Sequence, residues 1–243
     1  MNVPTAVESR TGLSGNQLKV IAMIAMTCDH VGLQLLPQLG FLRIIGRLAF
    51  PIYAYMIAEG CRYTHDRGRY FLRLASLALV CQGVYYGAMR SLYQCVLVTF
   101  SLSVCLICAL DNWRKERSLP AGLLALGAVL GVGVLCLGLP LLLAGTDYAV
   151  DYGIWGVLLP VLVYFGRDRR QKLALLALGT AMLGLAFGGI QWWGMAAVPL
   201  LMCYSGARGK HRLGMLFYLY YPLHLAVIYG LSLLMEAVLP GRF

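Results

Sequence analysis

Two histidines and a small set of charged residues lie where an apolar chain should carry none. Asp29 and His30 stand together inside the first apolar run, and an ionisable side chain in a membrane span costs a few kcal/mol at least. His30 follows Lys19 by eleven residues, close to three helical turns, so the two share a face about 16 Å apart along the axis. Asp29 points about 100° round the helix from His30. In the second run Arg43 and Arg47 are one turn apart on one face, Pro51 removes a hydrogen bond to the carbonyl of Arg47 and bends the helix, and Glu59 comes near its far end. The last run contains Tyr220, Tyr221, Pro222 and His224, the two tyrosines on the histidine's face. His224 lies twelve residues beyond Arg212, so it reaches a depth similar to that of His30. Imidazoles at mid-membrane, each above a basic helix end, are suited to taking up and returning protons. The plainer roles are a helix-to-helix hydrogen bond for His224 and snorkelling of Arg43 to the outer surface.

Those residues need helices that cross a bilayer. Of 243 residues, 60% are hydrophobic and 12% charged, with a mean hydropathy of +0.74. A soluble domain has about a quarter of its residues charged. Most of the apolar runs are long enough to cross the hydrocarbon core and are continuous, which excludes the alternating short strands of a membrane barrel. They read as 18–36, 43–61, 70–88, 94–110, 120–144, 151–166, 172–187, 190–205 and 213–236. Gly188 and Gly189, followed by Trp192 and Trp193, mark a turn with aromatic interface anchors. The expected fold is therefore an all-α, polytopic transmembrane bundle of about nine spans, with a polar cytoplasmic tail over 1–17 and one membrane domain over 18–243.

Charge sets the expected orientation. The basic residues cluster between runs, at 62–73, 114–117, 167–172 and 208–212. With the N-terminus cytoplasmic, these and Arg10 and Lys19 put sixteen of the twenty Lys and Arg inside. The C-terminus is then outside, and the protein is expected to be a multi-pass component of the inner or plasma membrane. A net charge of +10 distributed in this way reads as loop topology, not as a nucleic-acid surface. The first run carries Asp29 and His30 and ends without a small-residue cleavage site, so it reads as a retained span. The eight cysteines are spread singly through the runs, Cys105 and Cys108 have no ligand partners nearby, and neither a disulfide framework nor a metal site is expected.

The ordered motifs Lys19…Asp29-His30, Arg43-Ile-Ile-Gly-Arg47-Leu-Ala-Phe-Pro51, Glu59-Gly60…Arg62-Tyr63-Thr64…Tyr70…Arg73, Asp151-Tyr152-Gly153…Gly156 and Tyr-Tyr-Pro-Leu-His224 resemble the TraX family. That family is named for the protein that acetylates the N-terminus of the pilin of conjugative F-type pili, and is similar to the broader transmembrane acyltransferases. The resemblance implies transfer of an acetyl or other short acyl group from acyl-CoA to an acceptor peptide, amine or glycan. It implies that Lys19, Arg43, Glu59, Arg62, Arg69, Arg73, Lys210 and Arg212 serve the acetyl-CoA co-substrate, whose phosphates must stay at a basic cytoplasmic mouth. It also implies that His30 is the general base, tuned by Asp29, or the carrier of a transient acyl group. Arg47, Tyr221 or His224 would then donate to the negative charge that develops on the thioester oxygen. The alternative expectation is a proton-coupled transporter using the same buried Asp, His and Arg.

Overall fold

The computed structural model describes residues 12–210 and 214–238. Among these the chain is helical throughout: α1 (Gly15–Gln34), α2 (Gly40–Gly46), α3 (Ala49–Tyr63), α4 (Arg67–Met89), α5 (Val96–Glu116), α6 (Leu119–Gly133), a π turn (Val134–Gly138), α7 (Leu139–Leu142), α8 (Gly153–Phe165), α9 (Arg169–Phe187), a 3₁₀ segment (Gly189–Ala196), α10 (Ala197–Met202) and α11 (Gly214–Val238). Taking directly joined pieces together gives nine helical segments among the described residues, close to the nine expected runs. Five are long and apolar enough to cross a membrane: Gly40–Tyr63, Arg67–Met89, Val96–Glu116, Leu119–Leu142 and Leu219–Val238. Gly15–Gln17, read from sequence as tail, form the first turn of α1, where Ser14 and Gln17 close a capping box.

Local chemistry explains the interruptions. The second run was expected to bend at Pro51; instead the helix breaks just before it. The N–H groups of Arg47 and Leu48 reach back only three residues, to Ile44 and Ile45, at 3.2 Å each, and Pro51 has no N–H to offer the Arg47 carbonyl. The π turn ends just before Pro140, which likewise leaves the Cys136 carbonyl without its usual donor. Gly188 and Gly189 both take positive φ, 64° and 52°. That conformation stops α9 at the place where the sequence predicts a turn.

The helices gather into two compact units. One takes the described residues up to Tyr53 and those from Trp193 onward; the other is Ala54–Trp192. In the first, α1 packs against α2 and α11, burying Leu18, Ala22, Ala25 and Met26. In the second, α5 is central, flanked by α4, α6 and α8, with α9 against α8. Val104, Ile107, Val157, Leu159 and Leu176 fill its core. The outer faces of α4 and α6 expose Leu72, Leu79, Leu123 and Leu130, surface that suits lipid rather than water.

Candidate functional site

The first unit gathers eight of the site residues named from sequence, counted among the described residues. Asp29 on α1 meets two guanidinium groups: Arg47 donates to Oδ1 through Nη2, and Arg43 Nε lies 3.3 Å from the same oxygen. Gly46 makes this possible, because a Cβ there would overlap the Asp29 side chain. Arg47 Nε also donates to the Arg43 carbonyl at 3.3 Å, which ties the break in the second segment to the ion pair. Two arginines against one carboxylate leave a surplus positive charge, and Arg43 Nη1 is buried without a hydrogen-bond acceptor among the described residues. No hydrogen bond joins Asp29 to His30 in the described residues; Asp29 acts on the imidazole only as a nearby charge.

The two histidines meet. The rings of His30 and His224 stand edge to face with centroids 5.1 Å apart. His30 Nδ1 is 2.8 Å from the Met26 carbonyl, and His224 Nδ1 is 2.9 Å from the Tyr220 carbonyl. A carbonyl only accepts, so each Nδ1 carries the proton and each Nε2 is left with a lone pair. His224 Nε2 is buried with no partner among the described residues. Tyr220 lies flat on the His224 ring at 5.0 Å, while Tyr221 approaches it edge-on at 5.6 Å. The Tyr220 hydroxyl bonds to Thr27 and donates to the Met23 carbonyl at 3.2 Å, fastening α11 to α1.

These contacts fix a parallel register. Lys19 sits over the Phe217 ring at 5.1 Å, Met23 and Thr27 meet Tyr220, and His30 meets His224. The first and last segments thus run side by side in the same direction. Their starting ends are joined as well. Leu13 N–H donates to the Cys203 carbonyl, and Gly15 and Asn16 N–H donate to the carbonyls of Ala207 and Arg208 at 2.8 and 3.0 Å. The loop carrying Arg208 and the exposed Lys210 is thereby stitched to the start of α1, above Lys19. Arg212 lies outside the described residues.

The remaining site residues named from sequence belong to the second unit. Glu59 is ion-paired with Lys172 at 2.5 Å, both side chains about nine-tenths buried. Arg62 Nη2 donates to the carbonyls of Tyr164 and Gly166, at 2.5 and 2.9 Å, at the C-terminal end of α8. Arg69 is exposed and pairs with Asp66 at 3.0 Å, and Arg73 is exposed. Sequence reasoning missed the partners. Lys172 was counted among loop charges, and Asp111, which receives Arg67 at 2.5 Å and Lys115 at 2.7 Å, was not singled out. Asp111 falls in α5, just past the apolar run over 94–110, and a carboxylate so placed is the one signal that could have drawn attention.

At the other end of the second unit, residues 91–95 and 147–151 interlock. Gln94 N–H donates to the Ala149 carbonyl at 2.8 Å, and Asp151 N–H returns to the Gln94 carbonyl at 3.0 Å. Ser91 O–H and Leu92 N–H both donate to Asp147, holding its carboxyl below the usual range. The Tyr93 hydroxyl donates to Asp151 at 2.6 Å, and burial, with that carboxylate, raises the phenol.

Among the described residues no group of three or more His, Cys, Asp or Glu could hold a metal ion. The first unit instead offers two imidazole lone pairs, a surplus guanidinium charge and a basic rim, which together suit proton transfer beside a developing negative charge.

The family model described as "TraX protein" matches residues 14–232. The chain is similar to the probable fimbrial assembly protein FimC, serogroup H1, of Dichelobacter nodosus, with 25% identity over 256 residues covering 92% of this chain and 97% of the relative. It is similar to Protein TraX of Escherichia coli, 26% identical over 227 residues covering 89% and 86%. A 38-residue stretch is 55% identical to the uncharacterized protein RP591 of Rickettsia prowazekii, covering 16% of this chain and 15% of that one. No solved structure matches. A family match that runs from the cap of α1 to within α11 spans both histidines and both arginines of the Asp29 cluster: the chain belongs to the TraX family.

Proposed function

We propose that the protein is a multi-pass acyltransferase of the bacterial inner membrane, moving an acetyl or other short acyl group from acyl-CoA to an amine or hydroxyl acceptor. The observation that carries this is the parallel pairing of α1 and α11. It sets His30 against His224 and, eleven residues back along α1, puts Lys19 beside the Arg208–Lys210 loop. The separation is about 16 Å, comparable with the reach of an extended pantetheine arm. The donor's phosphates stay with the basic residues at the rim while its thioester reaches the imidazoles. His30 Nε2, with Nδ1 held by Met26, is the general base toward the acceptor. Arg47, held by Asp29 on the helix segment beside α1, is the proposed stabiliser of the oxyanion.

If both α1 and α11 cross the membrane, their parallel course calls for an odd number of crossings; the proposed topology has nine, with the N-terminus cytoplasmic. The similarity to a protein named for fimbrial assembly, and to one named TraX, brings a pilin N-terminus forward as the acceptor. Purified protein is expected to bind acetyl-CoA saturably, and His30→Ala to abolish transfer while leaving that binding in place. Transfer retained by His30→Ala would remove the histidine from the mechanism, and flux of a solute without any acyl donor would favour a carrier.

A further inference from the structure

The His30–His224 pair contains two acceptors and no donor. Each Nδ1–H is spent on the main-chain carbonyl one turn back, so neither neutral ring can donate through Nε2 to an oxyanion. His224 is 7% exposed and its Nε2 lone pair is unfilled by any described residue. A buried acceptor left empty is destabilising unless a ligand supplies the donor. The His30 ring, with its own Nε2 lone pair, stands 5.1 Å away centroid to centroid, and a group with more than one hydrogen to give can serve both rings.

We propose that His224 is a second catalytic base, which takes the first of two protons from a primary ammonium acceptor, His30 taking the other. This rests on the acyl-transfer reading above and narrows it. A hydroxyl loses one proton in becoming an ester, and one base suffices. An amine that arrives as R–NH3⁺ loses two. His224 Nε2 removes one and frees the nitrogen lone pair, which forms the N–C bond at the thioester carbonyl as the C=O π pair moves to oxygen. His30 Nε2 takes the second proton from that nitrogen. When the oxyanion collapses, the C–S bond breaks with its electron pair on sulfur, and His30 returns its proton to the thiolate. The proton on His224 leaves to solvent, so one amide, one thiol and one proton result.

The groups that face the pair are Asp29 from α1, Arg43 and Arg47 from the α2 segment, and Tyr220 and Tyr221 from α11. Tyr53 of α3 lies near Tyr220. Arg43 and Arg47 outnumber Asp29, and that surplus of positive charge disfavours two imidazolium ions at once. The two protons are therefore taken in sequence rather than together.

The test uses full-length protein in detergent, acetyl-CoA, and a short peptide with a free N-terminus, whose α-amino group has a pKa of about 7.7–8.0. Transfer is followed from pH 6 to 9.5 for wild type, His224→Gln and His30→Gln. At pH 6, where the acceptor is ammonium, His224→Gln should lose about 100-fold. The loss should shrink as pH rises through the acceptor's own pKa, because the peptide then arrives with one proton fewer. His30→Gln should stay inactive throughout. A His224→Gln profile parallel to wild type, at any reduced rate, overturns the second-base role and leaves acyl transfer standing. Wild type that neither binds acetyl-CoA nor acetylates the peptide overturns both. His224→Gln that no longer folds is replaced by His224→Asn, read against the same profile.

Discussion

The two units handle buried charge in opposite ways. In the second, ionised groups are closed off: Glu59 by Lys172, Asp111 by Arg67 and Lys115, and Arg62 by two carbonyls of α8. In the first, capacity is left over. Among the described residues, Arg43 Nη1 and His224 Nε2 are buried without partners, and Asp29 answers two arginines at once. An unmet hydrogen-bonding demand inside a bilayer persists only where something else meets it. Among charged and imidazole groups the contrast points to the first unit as the place to seek chemistry, although the Thr180 hydroxyl of the second unit is also buried without a partner among the described residues.

The largest test of that contrast is Lys172→Met, which strands a buried carboxylate and should cost about 3–5 kcal/mol in chemical unfolding from detergent micelles. The transfer rate per folded molecule should not change; a rate that falls with stability intact would make the Glu59 pair part of the machinery and break the comparison. Gly46→Ala comes next. Its methyl group pushes Asp29 away from the arginines at a cost of about 1–3 kcal/mol, and here the rate should fall together with stability. Tyr220→Phe removes the hydroxyl that joins α11 to Thr27 and Met23, about 1 kcal/mol. Its signature should be a larger loss of transfer than of stability, because the ring that backs His224 is no longer anchored. The smallest effect is Asp147→Asn. Asp147 has a depressed folded pKa, so its contribution is present above the unfolded value of about 3.9 and is lost as pH falls through the folded one. Wild type and variant should therefore differ slightly at pH 6 and converge in acid.

Much of this was legible in the chain. Leu119–Leu142 was visible as a run over 120–144, and the stop at Gly188–Gly189 was visible as a glycine pair before two tryptophans. A similar depth for His30 and His224 followed from counting turns above two basic ends, since position along a helix axis is a one-dimensional quantity that sequence supplies; that the two rings meet came from the structure. Partners at equal depth are another matter. Lys172 lies 113 residues beyond Glu59, and which helices stand side by side is decided by packing that one sequence does not display. The same ignorance hid Asp29's partners. Periodicity gave its angle to His30 but not that Gly46 would clear room for the arginine next to it.

Because the two facing imidazoles come from α1 and α11, with the other described helices between them in sequence, the pair has an order of birth. His30 is made before His224 and waits without its companion while nearly two hundred residues follow. Only when α11 is laid against α1, and the loop after α10 is stitched to the chain ahead of α1, does the second imidazole arrive. A chain that stops before that helix carries Asp29, Arg43 and Arg47 but no second ring to set beside His30. Synthesis of α11 is thus the step that brings the two rings together.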